Sequence, residues 1–161
     1  MNRINSFPPI IDHCSEILIL GSVPGAQSLK MQQYYAHPQN QFWKILFHLF
    51  DEPFSADYDE KVEVLKRHNV ALWDVIESCE RKGSLDTEIR NEIDNDIQRL
   101  IDNHPKIKII FCNGQKSYKN LIKILGKDFK IPIVVLPSTS PLHTVKLEEK
   151  LEKWKVIKTY L

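Results

Sequence analysis

ILILGSVPGAQSLKMQQYYAHPQNQFW, residues Ile17 to Trp43, is the stretch whose reading decides the fold. Four apolar residues, Ile17-Leu18-Ile19-Leu20, run without alternation into Gly21. A short unbroken apolar run that ends in glycine predicts a strand buried on both faces, as in a parallel sheet. The turn Gly21-Ser22-Val23-Pro24-Gly25 follows, and then a polar segment that predicts a long ordered loop through His37-Pro38-Gln39-Asn40. From Phe42 to Phe50 the chain turns apolar again. Phe42, Ile45, Leu46 and Leu49 make one stripe at helical spacing, and Trp43, Phe47 and Phe50 make a second. A helix that is apolar on two faces is a buried one. A polar loop held between a buried strand and a buried helix marks a site.

Three further apolar runs predict strands: Val70-Ala71-Leu72-Trp73, Ile107 to Cys112, and Ile133-Val134-Val135-Leu136. Helices are predicted between them. Tyr58 to His68 places Tyr58, Val62 and Leu65 on one face, and Asp94 to Asn103 is helical with Ile93, Ile97, Leu100 and Ile101 at its spacing. Tyr118, Leu121, Ile122 and Leu125 mark a helix stopped by Gly126. A charged closing helix has Leu147, Leu151, Trp154 and Leu161 as its expected buried stripe. Residues 1–14 read as an extended arm. Ser78 to Asn91 reads as a long surface loop, with Arg81 and Lys82 solvated. Strands that alternate with helices predict an α/β fold, a short, mostly parallel four-stranded sheet covered on both sides. The 161 residues are expected to form one domain.

Composition narrows the function. A net charge of +1 gives no global basic field, so nucleic-acid binding would need a local patch. Cys14, Cys79 and Cys112 are an odd number, widely spaced and without C-x-x-C. That pattern argues against a disulfide framework and against a four-cysteine zinc or iron–sulfur site. A reducing cytoplasm is the natural compartment. No run of about 18 apolar residues suggests a membrane span.

In open parallel sheets ligands bind beyond the carboxyl ends of the strands. Four segments therefore converge: Gly21 onward, Asp74 onward, Asn113-Gly114, and Pro137 onward. The glycine turn matches neither G-x-G-x-x-G nor a P-loop, but its glycines let backbone N–H groups approach a ligand closely. Ser138-Thr139-Ser140, set between Pro137 and Pro141, is either a rigid hydrogen-bonding loop or a helix cap. Asn40 is either the cap of the following helix or an amide that pairs with a planar ligand or orients a water. Tyr34 and Tyr35 are either core aromatics or a stacking platform. His37 is expected to be a structural hydrogen-bond donor. Asp74 is a turn former or a supporting acid.

The two strand-end motifs together resemble the uracil-DNA glycosylase superfamily. The mismatch-specific branch carries G-x-N-P-G, an aromatic, H-P-x-N and F-W. This chain has Gly21-x-Val23-Pro24-Gly25, Tyr35, His37-Pro38-x-Asn40 and Phe42-Trp43 in the same order. The second motif, a short S-P-L loop, matches Ser140-Pro141-Leu142. The combination looks most like the hypoxanthine-DNA glycosylase branch. The resemblance implies a three-layer α/β/α fold and a monofunctional glycosylase that needs no metal or cofactor. Its partner would be double- or single-stranded DNA with a damaged base, and it would act as a monomer.

The resemblance also distributes roles. Asn40 and Ser138 are the expected catalytic residues. Gly21, Ser22, Val23, Pro24, Gly25, Tyr35, His37, Asp74 and Asn113 are expected around the base, with Tyr35 stacked on it. Ser138, Thr139, Ser140, Pro141, Leu142 and His143 are expected against DNA, with Leu142 as the wedge that fills the vacated stack. One departure stands out. The mismatch branch positions its attacking water with an asparagine, and this chain has Val23 there. A mismatch uracil/thymine glycosylase and a non-catalytic nucleic-acid-binding domain are the alternative readings.

Overall fold

The computed structural model describes residues 3–126 and 128–161. Its centre is a four-stranded sheet, all parallel, in the order β3-β2-β6-β7. These strands are β2 (Ile17–Gly21), β3 (Val70–Asp74), β6 (Ile109–Asn113) and β7 (Ile133–Leu136). Every residue of β2 is buried, as an unbroken apolar run requires when both faces are covered.

Odd and even positions of the strands serve opposite cores. Ile17, Ile19, Leu72 and Phe111 face α2 (Phe42–Leu49), α3 (Tyr58–Arg67) and Trp154 of α6 (Leu147–Trp154). Leu18, Leu20, Ala71 and Ile110 face α4 (Ile97–Asp102) and α5 (Gln115–Leu125). The result is the expected helix–sheet–helix sandwich. α3 starts where the Asp57 carboxylate accepts from Asp59 N–H at 3.2 Å. Asp59 and Glu60 lie in its first turn and Lys66 and Arg67 in its last, each sign matched to the helix dipole.

The sequence expectations need six corrections. Ile93 belongs to a strand, Arg90–Asp94, and is 53% exposed, so it stands outside the helical stripe of Ile97, Leu100 and Ile101. The segment after Gly25 is not all loop, because Ala26–Met31 forms a short helix, α1, ended by Gln32 in the left-handed region at φ 54°. Ser78 to Asn91 is not a plain surface loop either. β4 (Ile76–Glu80) pairs antiparallel with β1 (Arg3–Asn5) and with β5 (Arg90–Asp94), making a second, three-stranded sheet. Arg81 is 5% exposed rather than solvated. On α3 it is Val64, not Val62, that joins Leu65 in full burial. At the C-terminus Leu161 is 52% exposed and Ile157 is buried in its place. The chain tightens into a 3-10 helix at Lys155–Tyr160, which shifts the buried phase.

Among the described residues no helix is long and apolar enough to cross a membrane. No group of three or more His, Cys, Asp or Glu side chains among them could hold a metal ion.

Candidate active site

All four parallel strands end on one side, and a cavity of about 430 Å³ opens there. That volume lies within the range of small-molecule sites, roughly 300–1,000 Å³. Every site residue expected from the sequence borders this cavity, from Gly21 to His143.

The floor is built around Gly21. A Cβ at this position would lie 2.6 Å from Asp74 Oδ1 and 2.7 Å from Tyr35 Oη. Only a glycine lets both oxygens approach the strand end this closely. Tyr34 and Tyr35 divide the two roles that the sequence left open. Tyr34 is 4% exposed, with its hydroxyl donating to Pro8 O at 2.9 Å, so it belongs to the core. Tyr35 takes φ 53°, which swings its side chain the other way, into the cavity. Its ring stacks on Phe42 at 4.0 Å between centroids, with an interplanar angle of 21°. Burial and the neighbouring Asp74 carboxyl push the Tyr35 phenol upward, so it stays protonated.

Asn113 holds this tyrosine. Its Nδ2 donates to Tyr35 Oη at 3.2 Å and to Thr139 Oγ1 at 3.0 Å, and its Oδ1 accepts from Thr139 N–H at 3.0 Å. With the amide engaged at both ends, Asn113 supports the wall instead of reading a base. Thr139 is fully buried behind the same wall, which leaves it no surface for a phosphate. Gly114, at φ +95°, allows the close pass of Ser138, whose Cβ would lie 3.3 Å from a Cβ added there.

Asn40 is not the cap of α2, a position that Gln41 takes without a side-chain bond; it lines the cavity and orders the turn into the helix. Its Oδ1 accepts from Phe42 N–H at 3.0 Å, at the start of α2. Only the carbonyl end of the amide can accept from an N–H, so this contact directs the NH₂ group away from the helix. That NH₂ has no partner among the described residues and Asn40 lines the cavity. His37 is exposed, and its Nδ1 accepts from Gln39 N–H at 3.1 Å, so it orders the loop as an acceptor rather than as a donor. Val23 is 8% exposed and packs in the cluster of Leu18, Leu20 and Val75, so it offers no polar atom to water.

The 138–143 loop is a ladder of short turns. Ser138 Oγ accepts from Ser140 N–H at 3.1 Å, and Ser140 Oγ accepts from Leu142 N–H at 3.1 Å. The loop is fastened from below by α6. Lys150 Nζ donates to Ser140 O at 3.2 Å, and Trp154 Nε1 donates to Pro137 O at 2.8 Å. Lys150 is 1% exposed, and burial lowers its pKa. Leu142, at the tip, is 56% exposed.

The opposite wall, Ser84 to Thr87, has no counterpart among the sequence expectations. The segment is short, polar and without periodicity, so its only local signal was the turn-forming Gly83-Ser84. It is tied to the glycine turn. Arg81 Nη2 donates to Pro24 O at 2.8 Å, Ser22 Oγ donates to Asp86 Oδ1 at 2.9 Å, and Ser84 Oγ accepts from Ala26 N–H at 3.0 Å.

The profile of the Uracil DNA glycosylase superfamily matches residues 8–160. The chain belongs to this superfamily. Within it, the chain is 39% identical over 151 residues to a Hypoxanthine DNA glycosylase of Methanosarcina barkeri (strain Fusaro / DSM 804), covering 92% of this chain and 93% of that one. It is 36% identical over 154 residues to a Hypoxanthine DNA glycosylase of Methanosarcina acetivorans, covering 94% and 95%. The solution NMR structure of a candidate uracil DNA glycosylase from Methanosarcina acetivorans matches with a TM-score of 0.83 at 34% identity, covering 98% of this chain and 97% of that one. The glycosylase fold thus extends over nearly the whole chain.

Proposed function

We propose that this superfamily member is a monofunctional DNA glycosylase that releases hypoxanthine from deoxyinosine in DNA, its single domain carrying the whole activity. The observation that carries the reading is the Asn40 amide. Its carbonyl is held by the start of α2, which leaves its NH₂ without a partner among the described residues on a side chain that lines the cavity. Cleavage of an N-glycosidic bond leaves negative charge on the departing base. A fixed donor aimed at that charge stabilises the transition state more than the ground state.

The rest of the cavity fits the same chemistry. An extruded base costs a few kcal/mol to unstack, less when it is damaged or mispaired. Leu142 would occupy the gap it leaves. Tyr35, backed by Phe42, would stack on the base, worth roughly 1–3 kcal/mol. The Ser138 hydroxyl oxygen accepts from Ser140 N–H, so its O–H proton is free to donate to the base. No lysine borders the cavity among the described residues, which favours water over a Schiff-base lyase step. With Val23 in place of an asparagine, that position has no polar group to hold the water, which disfavours the mismatch uracil/thymine reading. The relatives named for hypoxanthine support the choice of base.

The test is a substrate panel. Duplexes with inosine, uracil, xanthine or thymine opposite each normal base are incubated with wild type and Asn40→Ala, and abasic sites are counted. Hypoxanthine release that falls steeply in the variant is expected. Release of uracil without hypoxanthine would replace this reading with the mismatch enzyme, and DNA binding without abasic sites would make the domain non-catalytic.

A further inference from the structure

Of the two acids that border the cavity, Asp74 and Asp86, it is Asp74 whose side chain has no hydrogen-bond partner among the described residues. It ends β3, and its backbone is fixed on both sides: Asn95 Nδ2 donates to Asp74 O at 2.8 Å, and Val75 N–H donates to Gly21 O at 2.9 Å. The side chain is 4% exposed. Its Oδ2 is buried with no hydrogen bond, and its Oδ1 lies over Gly21 on the cavity floor. Leaving a buried carboxyl without hydrogen bonds costs stability, so the arrangement needs a reason in function.

The charged and titratable neighbours do nothing to relieve it. Tyr34 and Tyr35 face it from the loop before α2, both as protonated phenols. Asp86 faces it from the opposite wall as a like charge. His37 and His143 border the same cavity, both exposed. Arg81 is spent on Pro24 O and Gly83 O. No lysine or arginine among the described residues borders the cavity. Burial first, and then Asp86, raise the Asp74 pKa to about 7.

A carboxylic acid in its neutral form can donate a hydrogen bond, and with Oδ2 enclosed it is Oδ1 that can serve the cavity. The deaminated bases share a carbonyl on the edge they use for pairing: hypoxanthine shows C6=O and uracil shows C4=O, where adenine and cytosine carry an amino group. We propose that Asp74 determines base specificity as a neutral acid, its Oδ1–H donating to this carbonyl. An ionised Asp74 can only accept, and it would set a negative oxygen against the base carbonyl. Recognition is therefore lost when the acid ionises. The inference rests on the glycosylase reading above.

The experiment is single-turnover kcat/KM for hypoxanthine release between pH 5.5 and 9 with wild type, Asp74→Asn and Asp86→Asn, folding of each being checked by thermal melts. Wild type is expected to lose about tenfold per pH unit above the ionisation of Asp74. Asp74→Asn keeps a donor and an acceptor in the same places, so it should remain active and lose that limb. Any residual fall shared by both proteins belongs to the substrate. Asp86→Asn removes a like charge, so the wild-type limb should move to lower pH. That shift decides the matter even if Asp74→Asn does not fold.

A limb unchanged in both variants, with hypoxanthine still released, would overturn the role of Asp74 and leave the glycosylase reading intact. A rate that rises through pH 7, with Asp74→Asn inactive, would overturn it in favour of a general base acting on water. A folded wild type that releases no hypoxanthine at any pH would overturn the glycosylase reading, and this inference with it.

Discussion

Asn40 Oδ1 accepts from Phe42 N–H at 3.0 Å, so one amide both orders the entry to the buried helix α2 and, on a side chain that lines the cavity, keeps an NH₂ without a partner among the described residues. Asn40→Asp separates the two roles. Aspartate can accept from the same Phe42 N–H, and its charge suits the N-terminal dipole. It cannot donate. Asn40→Asp is expected to keep its melting temperature within a few degrees and to lose about 10²–10³ in the rate of base release. Calorimetry beside a single-turnover assay checks both halves.

Gly21→Ala would put a methyl 2.6 Å from Asp74 Oδ1 and 2.7 Å from Tyr35 Oη. Neither oxygen sits at the end of a flexible chain, so the floor must deform. Overpacking of this kind costs about 1–3 kcal/mol, and the displaced tyrosine should cost activity as well. Urea titration and abasic-site counting are expected to show losses in both. Full activity would mean that the base does not rest on this floor.

Leu142→Ala removes an exposed side chain from the tip of the loop, so stability should stay within about 0.5 kcal/mol of wild type. Activity should fall on duplex DNA and much less on single-stranded DNA, where there is no stack to fill. An equal loss on both substrates would argue against a wedge.

The buried Asp74 also predicts a pH dependence of stability. Its pKa is about 7 in the folded protein, against about 3.9 in an unfolded chain. The folded state therefore holds a proton that the unfolded state releases. Stability falls as pH rises between those values, by at most roughly 4 kcal/mol, and is flat with respect to this group above them. Asp74→Asn removes this penalty. The variant should gain on wild type from pH 4 to pH 7 and hold a constant advantage beyond, as thermal melts across that range would show.

What could be read from the sequence follows from burial. β2, β3, β6 and β7 are covered on both faces, so their apolar runs stand out and the parallel sheet is legible. β5, Arg90-Asn91-Glu92-Ile93-Asp94, is half in solvent and held by pairing with β4, so composition gives no sign of it. The missed wall at Ser84–Thr87 hangs from that same hairpin. Arg81 looked like a loop charge because a guanidinium that two carbonyls satisfy leaves no pattern along the chain. The role of Asn113 was hidden for a related reason: its partners, Tyr35 and Thr139, lie 78 and 26 residues away. Asn40 was legible because its hydrogen bond to Phe42 N–H and its motif are both local.

The latch of α6 beneath the 138–143 loop has a consequence for the chain as it is made. Gly21, Tyr35 and Asp74 lie within the first 74 residues, but Tyr35 is held by Asn113 and the loop with Leu142 is held from below by Lys150 and Trp154. During synthesis the floor of the cavity therefore emerges first and its fastenings last. A chain still on the ribosome has the parts of the site without the contacts that set them.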